Sequence, residues 1–184
     1  MRRKRHRRPA VRSSLRPTQG RVRDALFNSL GSWIGGRRVL DLFAGSGALG
    51  LAALKRGAAE AIFVEQNGRQ VEGIRDALAK EGWAERAEVW RRDVLDALRE
   101  LGMQRRVFDL ILLDPPYGEG WIPRALQAIR TAGVQAPGGL IVAEGHWRDR
   151  LEASAGFAMR REARYGETAL WFYEDDSKAG GEQA

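Results

Sequence analysis

The sequence predicts an α/β fold: a mostly parallel, seven-stranded sheet that ends in a C-terminal antiparallel hairpin. Three observations lead there. Five short apolar runs rich in Val, Ile and Leu recur along the chain: Val39–Phe43, Ala61–Glu65, Ala87–Arg91, Phe108–Leu113 and Leu140–Glu144. Longer amphipathic segments lie between them, at Gly47–Arg56, Gly68–Glu81, Val94–Leu101 and Trp121–Ala132. Near-continuous apolar strands alternating with helices describe a parallel sheet covered on both faces. Finally, the strand-like stretches Phe157–Arg164 and Thr168–Tyr173 are joined only by Tyr165-Gly166-Glu167. That connection is too short for a crossover and makes the last pair antiparallel.

The elements follow in chain order. Arg16-Pro17-Thr18 opens a helix, with Thr18 in position to cap its first turn. Val22, Ala25, Leu26, Ser29 and Leu30 then fall at helical spacing, and Gly31 supplies the stop. The strand–helix alternation occupies the rest, with no internal repeat. The expected organisation is a basic arm over 1–15, one catalytic domain over 16–174 and a polar tail over 175–184. A chain of 184 residues, 43% hydrophobic and 30% charged, is long enough to bury a core without disulfides or metal. It has no cysteine, which excludes thiolate sites and a cysteine nucleophile and fits a cytoplasmic protein. No run approaches the roughly 20 apolar residues of a membrane span, so no membrane partner is expected.

Charge is unevenly placed. Residues 1–23 hold ten Lys or Arg and no acid, whereas the remainder carries 21 basic against 24 acidic residues. The net charge of +7 therefore belongs to the N-terminal arm. Such a block suits a polyanion, and binding through it would be strongly salt-dependent. Arg16, Arg21 and Arg23 are the candidate RNA contacts in and beside it. A solubilising tail is the plainer reading.

The first strand runs into Leu40-Asp41-Leu42-Phe43-Ala44-Gly45-Ser46-Gly47-Ala48-Leu49-Gly50. Its glycines let backbone approach a ligand, and Gly45 to Gly50 match the nucleotide fingerprint G-x-G-x-x-G after a strand and before a helix. Glu65 ends the second strand, where a carboxylate can accept hydrogen bonds from both ribose hydroxyls. A nicotinamide cofactor and S-adenosylmethionine both fit this much. Asp41 favours the second: it would repel a pyrophosphate, but it suits the ammonium of the methionyl end. The carboxylate of that end can use N–H groups of Ala44, Gly45, Ser46 and Gly47. Asp41 as a mere turn cap and Glu65 as a surface acid are the competing structural readings. Asp93, after the third strand, can accept from the adenine amine or cap the next helix.

Asp114-Pro115-Pro116-Tyr117 is the most specific feature in the chain. Buried strands do not ordinarily end in an acid, two prolines and an aromatic. The prolines fix φ and remove backbone donors. Asp114 and the Pro115 carbonyl can then accept both N–H groups of an exocyclic base amine, while Tyr117 stacks on the base. Such stacking is worth about 1–3 kcal/mol in single-strand recognition. A glycine loop, an acid after the second strand and this turn together describe a Rossmann-like, class I S-adenosylmethionine methyltransferase.

At these motifs the chain resembles the RsmD family, bacterial enzymes that methylate the N2 amine of one guanine in small-subunit (16S) ribosomal RNA. The resemblance rests on Arg16 to Asn28, Leu40–Gly50, Asp114–Tyr117 and the closing Tyr165 to Leu170, and it covers about residues 15 to 174. It implies S-adenosylmethionine as cofactor, S-adenosylhomocysteine as product, and donor binding by Gly45 to Gly47 and Glu65. It also implies base binding by Asp114 and Tyr117, and ribosomal RNA within the small subunit or its assembly intermediate as partner. A monomer is expected. Members resembling this chain open with a glycine-containing β-hairpin, whereas Met1 to Arg12 contains no glycine. Either the arm replaces that hairpin or the true start lies elsewhere.

Other readings make separate expectations. Adenine or cytosine methylation in DNA uses the same chemistry but usually an added target-recognition domain. Methylation of a protein glutamine would suit Asn at position 114 better. A catalytically silent RNA-binding module would use only the arm. His6 and His146 lack partners for metal ligation, and no metal is expected. Trp33, Trp83, Trp90, Trp147 and Trp171 read as packing residues. Trp121, four residues after the turn, could border the base pocket, although packing of the next helix is the preferred reading.

Overall fold

The computed structural model describes residues 17–149, 151 and 153–176. Arg16, the basic arm and the tail beyond residue 176 lie outside the described residues. The elements are α1 (Pro17–Leu30), β1 (Arg38–Leu42), α2 (Ala48–Lys55), β2 (Glu60–Glu65), α3 (Gly68–Glu81) and β3 (Ala87–Arg91). They continue with α4 (Val94–Met103), β4 (Phe108–Leu113), α5 (Trp121–Ala132), β5 (Gln135–His146), β6 (Phe157–Tyr165) and β7 (Thr168–Asp175).

The seven strands form one sheet in the order β3-β2-β1-β4-β5-β7-β6. β1 to β5 are mutually parallel, and β7 runs antiparallel to both of its neighbours. Each central strand buries side chains on both faces. On one face Leu40, Leu42, Ile62, Ile111 and Leu113 pack under α4 and α5, with Leu98, Leu126 and Ile129. On the other, Val39, Phe63, Leu110 and Leu112 pack under α1, α2 and α3, with Leu26, Phe27 and Ile74. The outer strands β3 and β6 instead carry exposed Glu88, Arg91, Arg160, Arg161 and Glu162. Charge there discourages pairing with another chain.

Most elements shift by a residue or two from the sequence expectation, and three differences have a local cause. Helix α1 is described from Pro17 on, so Thr18 lies within the helix and not at the position before it. Pro is suited to that first position because it has no N–H to leave unpaired. β1 stops at Leu42, and Phe43 adopts φ 62°. β5 starts at Gln135, earlier than its apolar run, and the irregularity Pro137-Gly138-Gly139 is absorbed by a register shift against Phe108 and Leu110 of β4.

Strand order reverses between β1 and β4, where the chain first builds outward through β2 and β3 and then turns back. Ligands of such sheets bind beyond the carboxyl ends of the strands at this switch point.

Candidate active site

Register places the chemistry. Leu42 pairs with Val64 of β2 and Leu113 of β4, and Leu113 pairs with Ala143 of β5. One residue further along each strand, Phe43, Glu65, Asp114 and Glu144 therefore form a row across the sheet edge. A cleft of about 470 Å³ opens at this row. It is bordered by Phe43, Glu65, Asp93, Asp114, Tyr117 and Trp121, among others.

Asp41 lies two residues before Phe43 and is 1% exposed. Its Oδ2 accepts the Gly50 N–H at 2.8 Å, while Oδ1 is buried with no hydrogen-bond partner among the described residues. Burial first, then the neighbouring Asp114 and Glu65 charges, push its carboxyl up to about 7, against the lowering effect of the Gly50 bond. An unpartnered carboxylate oxygen at this depth is costly unless something positive meets it. An ammonium group fits that requirement; a phosphate does not.

Glu65 holds the glycine loop. Its Oε2 accepts the Gly45 N–H at 2.8 Å and its Oε1 the Asn67 N–H at 2.7 Å. Each oxygen keeps a further lone pair for a ribose hydroxyl. Ala44 N donates to Val64 O at 3.0 Å and Gly47 N to Ala44 O at 2.7 Å. The amides of Ala44, Gly45 and Gly47 are thus spent on shaping the turn. The amides of Ala48 and Leu49 in the first turn of α2 precede that helix's own hydrogen-bond ladder and can also meet a ligand carboxylate, whereas the Gly50 amide is held by Asp41. Gly47 caps that helix at φ 75°, and its closeness to Ile74 leaves no room for a side chain. Ser46 is exposed and lines a neighbouring hollow of about 750 Å³ together with Arg23, not the cleft.

Asp93 caps α4, its Oδ1 accepting the Leu95 N–H at 2.8 Å and the Asp96 N–H at 3.4 Å, and it also borders the cleft. The two roles foreseen for it are compatible.

The Asp114–Tyr117 turn crosses the cleft's other side. Burial holds the Asp114 carboxyl above the usual carboxylate range. Tyr117 remains 43% exposed, and its hydroxyl donates to Glu144 Oε1 at 3.3 Å. Burial, then the Glu144 charge, push this phenol up to about 12, opposed by a hydrogen bond from Thr168. Glu144 is itself 7% exposed, and burial and then the Asp114 charge raise its carboxyl. Two acids side by side on adjacent strand ends resist ionising together.

Sequence reasoning missed Glu144 and Phe43. An acid inside the apolar run Leu140–Glu144 was the available signal for the first. For Phe43, the left-handed backbone could not be foreseen from residue type. Trp121 lines the cleft, with its ring 5.3 Å from that of Phe43 in an edge-on contact. Its preferred reading as packing alone is too narrow. Arg21 is exposed on α1, and Arg23 is half-buried with Nε 3.8 Å from Asp24. Neither borders the cleft. No cluster of three metal-ligating residues occurs among the described residues.

Comparison with known proteins adds ancestry to this geometry. The profile of the family described as conserved hypothetical protein 95, the RsmD family, matches residues 2–174. The chain belongs to the RsmD family. Ribosomal RNA small subunit methyltransferase D of Escherichia coli (strain K12) is 32% identical over 167 residues, covering 89% of this chain and 81% of that protein. The solved structure of a hypothetical protein from Thermus thermophilus superposes with a TM-score of 0.75 at 31% identity, over 88% of this chain and 90% of that one. More distantly, an RNA methyltransferase from Salinibacter ruber solved with S-adenosyl-L-homocysteine shares the fold. Its TM-score is 0.62 at 17% identity, over 86% of this chain and 92% of that one. The RsmD-type chain thus has the Rossmann-like fold of the class I methyltransferases, as its motifs predict.

Proposed function

We propose that this protein methylates the exocyclic N2 amine of a guanine in small-subunit (16S) ribosomal RNA, using S-adenosylmethionine and releasing S-adenosylhomocysteine. One observation carries the reading: the Asp-Pro-Pro-Tyr turn borders the same cleft as Glu65, and both acids, Asp114 and Glu65, are neighbours of Asp41, whose Oδ1 is unpartnered. The name of the Escherichia coli relative supports ribosomal RNA as the substrate.

The residues present fit the methyl donor. Asp41 Oδ1 would meet the ammonium, Glu65 the ribose hydroxyls, the Gly45–Gly47 turn would lie against the ligand backbone, and Asp93 would stand near the adenine amine. When bound, the donor supplies an electrophilic methyl on a sulfonium. The chain's own task is to bring an amine to it. Asp114 and the Pro115 carbonyl accept the two N–H hydrogens, which turns the nitrogen lone pair toward the cleft. Tyr117 lies on the base face, and Trp121 and Phe43 wall off water. Orientation of this kind supplies much of the rate, and the amine needs no prior deprotonation. Once the N–C bond has formed, the extra proton passes from the nitrogen to the Asp114 carboxylate that already accepts from it. No helix among the described residues is long and apolar enough to cross a membrane. We place the protein in the cytoplasm as a monomer acting on the small subunit or its assembly intermediate. Residues 1–15 would form a basic arm, 16–174 the catalytic domain and 175–184 a tail, with β7 reaching Asp175.

Ribosomal RNA lacking the modification, free and as assembled subunits, is incubated with labelled donor and digested for nucleoside mass spectrometry. Labelled N2-methylguanosine is the expected product. A different methylated base, or none, overturns the reading. Calorimetry should show binding of S-adenosylmethionine and S-adenosylhomocysteine; tight binding of NAD alone would reject the donor assignment.

A further inference from the structure

The row of Glu65, Asp114 and Glu144 at the strand ends, with Asp41 behind it, makes the cleft floor acidic. A base brought into it carries phosphates on either side, and these would be repelled unless cations stand at the rim. The rim beside Tyr117 supplies them. Trp147 directly follows β5, and its N–H donates to Glu167 O at 3.1 Å in the turn between β6 and β7. That turn reaches the same sheet edge, because β7 returns antiparallel to β5 and sets Thr168 opposite His146. The Tyr117 hydroxyl donates to Glu144, on the same strand β5, at 3.3 Å. Hydrogen bonds and strand pairing thus link Trp147 to Tyr117.

Two guanidinium groups lie over the Trp147 ring, Arg164 at 3.8 Å and Arg148 at 5.1 Å from its centroid. Both side chains are exposed, and neither has a carboxylate within 4.0 Å among the described residues. Many surface arginines differ: Arg75, Arg106, Arg130 and Arg160 are each paired with an acid. An arginine in an ion pair has its in-plane donors engaged. One held over an indole is positioned by the ring while donors not otherwise bonded stay free for a phosphate. Arg164 commits only Nε, to Gly166 O at 2.9 Å, and keeps its terminal nitrogens.

We propose that Arg148 and Arg164, mounted on Trp147, form a phosphate-binding site for the RNA strand flanking the target nucleotide. This inference rests on the functional reading above for the identity of the polyanion. An acidic protein surface would also meet two arginines, but the shared edge with the Tyr117 cleft favours a strand whose own base enters that cleft.

The test measures binding of the full chain to a single-stranded oligouridylate across a salt series. Arg148→Gln and Arg164→Gln should each flatten the plot of log affinity against log salt by about 0.7, and the double variant by about 1.4. Arg105→Gln removes a charge from the opposite sheet edge, in the turn between α4 and β4, and should leave the slope unchanged. Calorimetric affinity for S-adenosylhomocysteine, expected to be unaltered, reports that the variants are folded. Wild-type slopes in both rim variants overturn the site, as does equal flattening by Arg105→Gln. Methyl transfer by the wild type is scored separately. If it occurs while the rim variants keep the wild-type slope, the rim is wrong and the functional reading stands. If the slope falls and no nucleoside is methylated, the rim stands and the functional reading fails.

Discussion

The Tyr117 hydroxyl donates to Glu144 Oε1 at 3.3 Å, tying the turn after β4 to the buried end of β5. Asp114 stands level with Glu144 on the neighbouring strand, so the proposed base clamp and its anchor share one acidic corner. Glu144 thereby fixes the ring that would lie on the base. A double-mutant cycle between Tyr117→Phe and Glu144→Gln, read from kcat, should give a coupling on the order of 1 kcal/mol. Strict additivity would show that the bond does not orient the ring.

Asp41→Asn should weaken S-adenosylhomocysteine binding at least tenfold in calorimetry, about 1.4 kcal/mol, because an amide cannot pair with an ammonium as a carboxylate does. The same substitution should stabilise the protein without ligand. Folding raises this carboxyl from 3.8 to about 7, so the native state holds the proton more tightly than the unfolded chain. Its contribution to stability is therefore full below pH 3.8 and is lost as pH rises to about 7, remaining flat above. At about pH 8 the variant should melt higher by a few degrees, on the order of 1 kcal/mol. A variant that binds the ligand normally removes Asp41 from the donor site.

Asp114→Ala should keep donor affinity and lose methyl transfer by about 100-fold or more, since misplacing the acceptor by an ångström has effects of that size. Single-turnover assays with saturating RNA separate this loss from weaker RNA binding. Wild-type turnover would show that the carboxylate is dispensable.

Gly50 offers a packing test. A Cβ there would press into the Phe63 ring and come to 3.0 Å from Asp41 Oδ2. Gly50→Ala should lower stability by about 1–3 kcal/mol, as overpacking generally does, measured by urea unfolding. It should also weaken donor binding by displacing Asp41. Unchanged stability would mean that Phe63 yields freely.

The parts legible in the sequence are those where backbone demands and residue type coincide. Gly47 must take a left-handed cap, Pro115 and Pro116 must stiffen a turn, and Glu65 must follow an apolar strand. Each leaves a mark at a single position. Phe43, Trp121 and Glu144 join the cleft through register and crossover, which bring residues from β1, α5 and β5 together. No spacing along the chain records that meeting. The glycine loop shows the same limit from the other side. Its motif was readable, yet Ser46 turns toward a second hollow, and the Gly45 amide is taken by Glu65. Only the three-dimensional path of the turn reveals which donors remain.

The insertion of β7 between β5 and β6 sets an order of events during synthesis. β6 emerges first, but its hydrogen-bonding partner has yet to be made, and Trp171 and Tyr173 must still enter the interior. Leu170 and Thr168, which pair with Glu144 and His146 at the end of β5, arrive with that last strand. A nascent chain can therefore bury the glycine loop and β1 to β5 early, yet it completes the corner around Tyr117 only once β7 has followed β6 out of the ribosome.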